Sequence, residues 1–229
     1  MTSASGSGPP ATPAPWQVPS SAQPEPEPGP AASPAADLDT ARGLLQRGDL
    51  TQATALLERL CASRPGDSTA LALLAVARRR AGRPAAAREL LEQAVGIDAA
   101  NPELWFNLGN VRRALEDDAG ADVAFQRALD IDPDLVPALV NRGNLLRDAG
   151  QGDAAVAHYR RALTLQLGLV QGWLNLGRLL GRGGDLAGAA DALRRAGALR
   201  PDDPAIDREL PRRARPQLAP AGGGRRLGA

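Results

Sequence analysis

Few side chains in this sequence could carry covalent chemistry. It contains one histidine, His158, and one cysteine, Cys61. Nucleophilic catalysis needs a Ser or Cys beside a base that a third group orients, and no such set can be assembled around His158. Cys61 lies near the end of a predicted helix, where we interpret it as a small packing residue. A single cysteine excludes an intramolecular disulfide and a multi-cysteine metal site. We therefore predict a protein that is not an enzyme and that needs no cofactor.

One acidic cluster imitates the start of a calcium-binding loop. Asp130, Asp132 and Asp134 have the alternate spacing of such a loop, but Leu135 stands where the loop requires glycine. We interpret these residues as a turn between helices, and we predict no metal site.

Amide and guanidinium side chains recur at a fixed spacing and could bind a peptide. Asparagines occupy two series with the same constant step: Asn107, Asn141 and Asn175, and then Asn110 and Asn144, which Arg178 continues. An amide offers donors and an acceptor to an extended backbone, each bond contributing about 1 kcal/mol. A third series, Arg79, Arg113 and Arg147, could attract acidic segments. The alternatives are that the amides bond to neighbouring helices or water, and that the arginines form a solvated helix edge.

The same step, thirty-four positions along the sequence, organises the whole middle of the chain. It relates five alanines without an insertion: Ala53, Ala87, Ala121, Ala155 and Ala189. It also relates large residues at another position: Leu57, Leu91, Phe125, Tyr159 and Leu193. Chance does not keep several columns in phase, so the sequence predicts five copies of one structural unit.

Each unit divides into two predicted helices. Glycines at one repeat position mark the turn after the first helix: Gly48, Gly82, Gly150 and Gly184. Pro84 and Asp185 follow this turn and suit the beginning of a second helix. Pro65, Pro133 and Pro201 separate one unit from the next.

The columns resemble the tetratricopeptide repeat. The third copy fits best, with Trp105, Leu108, Gly109, Ala121, Phe125, Ala128 and Pro133 at the repeat positions. The first copy departs most, because Asp37 stands at a large-hydrophobe position and Leu60 replaces an alanine. The resemblance covers residues 34 to 203 and implies an all-α, right-handed α-solenoid of about five helix hairpins.

Three arginines depart from the pattern at positions where apolar or aromatic residues are expected. They are Arg78, Arg112 and Arg142. We expect their aliphatic stems to lie over apolar neighbours while the guanidinium groups reach water.

The resemblance also implies where a partner binds. In such repeats the first helices line a concave groove, which here carries the asparagine series and Arg178, flanked by Arg79, Arg113 and Arg147. The series at Asn107, Asn141 and Asn175 is similar to the asparagine ladder of O-linked N-acetylglucosamine transferase repeats. We predict a peptide-binding groove formed by these residues together with Asn110 and Asn144.

We divide the chain into three parts. Residues 1–35 are predicted to be a disordered Pro/Ala/Ser-rich arm, since they hold ten of the 20 prolines. Residues 36–203 are predicted to be the solenoid, with repeats at 34–67, 68–101, 102–135, 136–169 and 170–203. Residues 204–229 are predicted to be a short helix and a basic, flexible tail. We expect this segment to cover the apolar face of the last repeat only in part, so that the exposed part could support self-association.

Composition and charge restrict the partners. The net charge is +1 and aromatic residues make up 3% of the chain, so we do not expect nucleic-acid binding. The longest apolar run, from Ala70 to Ala77, is far shorter than the roughly 20 residues of a membrane span. The segment from Met1 to Pro15 lacks the charged and apolar regions of a signal peptide. We therefore expect a soluble, cytoplasmic protein with no membrane contact.

These observations predict a non-catalytic interaction module that holds a peptide or helix of a partner protein. The alternative is the substrate-recognition part of a glycosyl-, sulfo- or methyltransferase whose catalytic domain is elsewhere, because we expect no room for one after the last repeat. A third candidate is RNA binding through the arginines, against which the near-neutral charge argues.

Overall fold

A computed structural model describes residues 34–201 and 203–209, so nearly all of the predicted arm and the tail after residue 209 lie outside the described residues. The described chain is all-helical, with first and second helices alternating. Its helices are α1 (Pro34–Arg47), α2 (Leu50–Ser63), α3 (Ser68–Arg80), α4 (Pro84–Ile97), α5 (Pro102–Ala114), α6 (Asp118–Ile131), α7 (Val136–Asp148), α8 (Gly152–Leu165), α9 (Val170–Arg182), α10 (Leu186–Leu199) and α11 (Pro204–Glu209).

The helix boundaries follow the sequence repeat. First helices α1, α3, α5, α7 and α9 begin at residues 34, 68, 102, 136 and 170, and second helices begin with the same step at residues 50, 84, 118, 152 and 186. Each first helix packs against the second helix that follows it, which gives five hairpins, numbered 1 to 5 below. We number repeat positions from the first residue of each hairpin.

The turn within each hairpin requires a left-handed backbone. Gly48, Gly82, Gly150 and Gly184 have φ between +74° and +87°, a conformation that glycine adopts without a steric penalty. Hairpin 3 has Glu116 at this position with φ +61°. The turn geometry is therefore kept even where the favoured residue is missing.

Small residues at position 8 let the two helices of a hairpin approach closely. A Cβ atom on Gly109 would lie 2.5 Å from Cε1 of Phe125, and one on Gly143 would lie 2.8 Å from Cε1 of Tyr159. Phe125 and Tyr159 are fully buried. An aromatic ring at position 24 thus occupies the space that glycine leaves at position 8.

The hairpins stack into one continuous apolar core. Leu91 of hairpin 2 packs in a cluster with Leu108 and Val111 of hairpin 3, and Tyr159 of hairpin 4 packs with Leu176 of hairpin 5. Successive first helices contact one another across the stack, whereas second helices in the described chain make no comparable contact. The prediction of an all-α solenoid is confirmed.

The three unexpected arginines join neighbouring hairpins through ion pairs. Arg78 pairs with Glu58, Arg112 with Glu92 at 3.4 Å, and Arg142 with Asp122 at 2.8 Å, and each partner lies 20 residues earlier. The sequence pattern does not predict these partners. Their side chains are 18–23% exposed, and each guanidinium group bonds to the second helix of the preceding hairpin.

No helix within residues 34–201 and 203–209 is both long and apolar enough to cross a bilayer.

Candidate binding surface

The predicted binding residues lie at positions 6, 9 and 12 of the first helices, a surface called here the first-helix face. Position 6 of one hairpin meets position 9 of the preceding hairpin, and each such pair is called a rung. Four rungs bear on the site, and they join Val76 to Asn107, Asn110 to Asn141, Asn144 to Asn175, and Arg178 to Glu209.

Two rungs are closed by amide hydrogen bonds. Asn141 Nδ2 donates to Asn110 Oδ1 at 2.6 Å, and Asn175 Nδ2 donates to Asn144 Oδ1 at 2.9 Å. The alternative that the amides bond to neighbouring helices therefore holds for these four asparagines. Their bonds fix the register of one first helix against the next.

Asn144 is the centre of the most connected rung. Its Oδ1 also accepts from the Tyr159 hydroxyl at 2.8 Å and from Arg147 Nη1 at 3.3 Å. A guanidinium can only donate, so this contact fixes the acceptor side of the Asn144 amide. Burial raises the pKa of Tyr159, whose hydroxyl therefore stays a neutral donor to Asn144.

Asn175 is enclosed within the structure. Only 4% of its surface is exposed, and its Oδ1 accepts from Gln171 Nε2 at 3.0 Å. Both ends of the Asn175 amide are thus used inside the protein, so this asparagine supports the face from within.

The Val76–Asn107 rung is open, because valine has no polar atom to accept a hydrogen bond. Asn107 is half-buried, and its side chain makes no hydrogen bond with any described residue. The side chain of Arg79, one turn after Val76, also makes no hydrogen bond or ion pair within the described chain. No side-chain polar atom in the described residues is both fully buried and unpartnered, so solvent reaches the donors of both side chains.

The remaining arginines of the face are held by carboxylates. Arg113 and Arg147 share Asp148, with Nη2–Oδ2 and Nη2–Oδ1 distances of 3.0 and 2.8 Å. Arg178 pairs with Glu209 of α11, at 2.8 Å between Nε and Oε2, and hydrogen bonding to Glu209 raises the pKa of Arg178. Within the arginine series at position 12, Arg79 alone lacks an ion pair in the described chain.

The sequence reasoning treated positions 6 and 9 as separate columns and so missed the rungs. The missing signal is a second spacing, since both amide bonds join residues that are 31 apart. A search for polar pairs at that spacing would have found both closed rungs and the valine that opens a third.

The two residues considered for catalysis lie apart from this face. His158 on α8 is half-buried, its Nε2 lies 3.5 Å from Arg142 Nη1, and burial and that arginine lower its pKa. Cys61 on α2 packs beside two core clusters, and burial raises the pKa of its thiol. The raised pKa keeps the Cys61 thiol in its protonated, less nucleophilic form. The described residues also hold no cluster of His, Cys, Asp and Glu that could bind a metal.

Comparison with solved structures shows the same fold. PilF of Pseudomonas aeruginosa aligns with a TM-score of 0.70 and 20% identity, covering 76% of this chain and 79% of that one. PilW, a type IV pilus biogenesis factor, aligns at 0.67 and 24%, covering 74% and 79%. YrrB, described as a TPR protein with an unusual peptide-binding site, aligns at 0.59 and 20%, covering 75% and 88%.

Comparison with family models identifies the repeat itself. Models described as the tetratricopeptide repeat match residues 44–105, 78–142 and 140–204, whereas no curated protein matches the sequence. The models describe the repeat alone, so the likeness to transferase repeats stays a prediction. Since the matches together span residues 44–204, most of the chain, the chain belongs to the tetratricopeptide repeat family.

Proposed function

We propose that this protein is an interaction scaffold whose first-helix face binds an extended segment of a partner protein. Stacked repeats build the long, continuous surfaces that solenoid proteins use to bind their partners. YrrB, which shares the fold, is described as having a peptide-binding site. Within the face, we assign the partner's main polar contact to the open Val76–Asn107 rung.

The observation that carries this assignment is a pair of donors without an acceptor. In the closed rung, Asn144 Oδ1 accepts from both Asn175 and Arg147. Asn107 and Arg79 occupy the same repeat positions as these two donors, two hairpins earlier, but Val76 offers them nothing. A carbonyl or carboxylate oxygen of a partner would take the place of the missing acceptor.

Charge favours an acidic residue in the partner segment. A hydrogen bond to a charged group contributes about 1.5–3 kcal/mol, roughly twice a neutral one. Arg113, Arg147 and Arg178 already face carboxylates of their own chain. Arg79 is therefore the arginine of the predicted groove that is available to a new carboxylate.

The closed rungs extend the surface beyond this contact. Asn110 and Asn144 use their Oδ1 atoms within the rungs, which leaves their Nδ2 groups to donate to a partner backbone. Asn141 and Asn175 hold these amides in place. We thus assign direct contact to Asn107, Arg79, Asn110 and Asn144, and a supporting role to Asn141 and Asn175.

The sharpest test closes the open rung. Twelve-residue peptides would be selected from a displayed library on the full-length chain, and their dissociation constants measured by calorimetry. Val76→Asn supplies an internal acceptor for Asn107 and Arg79, so we expect it to weaken the selected peptides by about tenfold. The combined Arg79→Ala and Asn107→Ala variant should lose at least as much.

A matched control separates this effect from a general effect of asparagine. Val123 is 56% exposed on the second helix α6, away from the first-helix face, so Val123→Asn should leave the affinity unchanged. Equal binding by Val76→Asn, the double alanine variant and the wild type would reject the assignment. Circular dichroism checks that each variant keeps its helices.

A further inference from the structure

The last helix continues the repeat. α11 begins at residue 204, one full repeat step after the beginning of α9 at residue 170. Ile206 takes position 3, where Ala70, Leu104 and Ala138 are buried in other hairpins, and it is itself 1% exposed. α11, described over six residues, therefore takes the place of a sixth first helix.

The polar ladder also continues into α11. Glu209 at position 6 pairs with Arg178 at position 9 of the preceding hairpin, and the two are 31 residues apart, as are the partners of both amide rungs. The final rung replaces two amides by an ion pair. This ion pair and the buried Ile206 hold α11 on hairpin 5.

Because α11 is described over six residues, the described chain leaves part of hairpin 5 uncovered. Inside the stack, a position-10 residue of the next first helix covers positions 20 and 24, as Leu145 covers Ala121 and Phe125. Beyond α11 the corresponding place is a cleft of about 500 Å³. Its wall includes Gly177, Gly181, Leu186, Ala189 and Leu193, with Arg178 and Glu209 at one side, and Leu186 is 68% exposed.

The opposite end of the described solenoid carries the complementary charge. α1 is a first helix, and Asp39 occupies its position 6, the position of Glu209 in α11. The Asp39 side chain is 74% exposed, and its ion pair, at 2.7 Å, is with Arg42 of the same helix. A hairpin 1 stacked on hairpin 5 in repeat register would bring Asp39 to Arg178.

We propose that hairpin 5 binds hairpin 1 of a second copy of this chain, with α1 taking the place of α11 and Asp39 replacing Glu209 at Arg178. α11 then competes with this head-to-tail contact from within the chain. Two features specify this partner: the repeat register, which aligns position 6 of α1 with position 9 of hairpin 5, and the opposite charges of Asp39 and Arg178. The full-length helix α1 would fill the cleft beside α11.

The test weakens the internal competitor and follows assembly of the full-length chain by sedimentation velocity. Glu209→Ala removes the ion pair that holds α11, and Ile206→Asp places a charge at its buried contact. We expect either change to strengthen self-association by about tenfold, the effect of losing one charge-assisted contact of the competitor. Circular dichroism should show that the ten longer helices remain.

Charge reversal then identifies the surfaces. In the Glu209→Ala background, Asp39→Arg alone and Arg178→Asp alone should each weaken association by about tenfold, because each places like charges at the contact. Mixing the two variants restores opposite charges at both kinds of junction and should restore assembly.

Three results would overturn the proposal. The first is that the Glu209→Ala and Ile206→Asp proteins remain monomeric with intact helices. The association could be insensitive to Asp39→Arg, which would place another surface in the cleft. The mixture of the two reversed variants could fail to assemble.

Discussion

One side chain decides whether a rung on the first-helix face is closed or open. Where position 9 is asparagine, its oxygen accepts from the position-6 asparagine of the next hairpin. Where position 9 is Val76, the donors of Asn107 and Arg79 are left to solvent. The position-6 asparagines therefore fix how hairpins 3 to 5 stack on one another. In our proposal, the asparagine at this position in hairpin 3 binds a partner instead.

Glu116 gives a prediction about stability that concerns a single backbone conformation. Its φ of +61° is a left-handed conformation that costs a side-chain-bearing residue about 1 kcal/mol or more. We expect Glu116→Gly to raise the free energy of unfolding by about 0.5–1 kcal/mol, measured by urea denaturation.

The reverse change in another hairpin is the matched control. Gly82 has φ +74° at the same repeat position, so Gly82→Glu should lower the free energy of unfolding by a similar amount. If Glu116→Gly destabilises the protein, the left-handed turn is not under strain in hairpin 3.

At the scale of a helix pair, the side chains at positions 8 and 24 occupy adjoining space. Hairpins 1 and 2 combine alanine with leucine, at Ala41 with Leu57 and at Ala75 with Leu91, whereas hairpin 3 combines Gly109 with Phe125. Gly109→Ala places a Cβ atom against the buried Phe125 ring and should lower the free energy of unfolding by about 1–3 kcal/mol.

A second substitution tests the cause of that loss. Gly109→Ala with Phe125→Leu gives hairpin 3 the combination found in hairpins 1 and 2. We expect the double variant to be more stable than the sum of the single effects predicts, by about 0.5–3 kcal/mol in a denaturation cycle. Additive effects would mean that the two positions do not compete for the same space.

The helices could be predicted from sequence because each depends on residues within one repeat. The constant repeat step, the turn glycines and the small-residue columns are local, and the five predicted repeat boundaries coincide with the first helices. The contacts between hairpins could not be predicted in this way. The pattern of a single repeat does not contain the ion pair of Arg112, because its partner, Glu92, lies in the preceding repeat.

The pairing of Arg112 with Glu92 also shows what a better prediction would need. Position 11 is arginine where position 25 of the preceding hairpin is glutamate, as at Arg78 with Glu58. Where that earlier residue is Gln126, position 11 is Leu146. Charged residues at apparently apolar positions thus have partners one repeat away, and single-repeat patterns cannot contain them.

Along the whole solenoid, each hairpin is stabilised mainly by its immediate neighbours. Contacts of the described helices join consecutive elements and successive first helices, which is the pattern of a one-dimensional stack. Hairpins 2 to 4 are covered on both sides. Among the described residues, hairpin 5 is covered on one side by hairpin 4 and on the other by the short helix α11.

This difference predicts a gradient of local stability along the molecule. Regions with fewer buried contacts open at lower free energy and exchange their amide hydrogens faster. We therefore expect amides of α5 to α8 to exchange more slowly than those of α9 and α10, in hydrogen exchange followed by mass spectrometry.

Ile206→Ala removes a fully buried contact of α11 and should speed exchange in α9 and α10 by about tenfold or more. Exchange in α3 and α4, three hairpins away, should not change because they share no contact with α11. Equal acceleration in every helix would show that the stack opens as one cooperative unit, and the dominance of nearest-neighbour contacts would then be wrong.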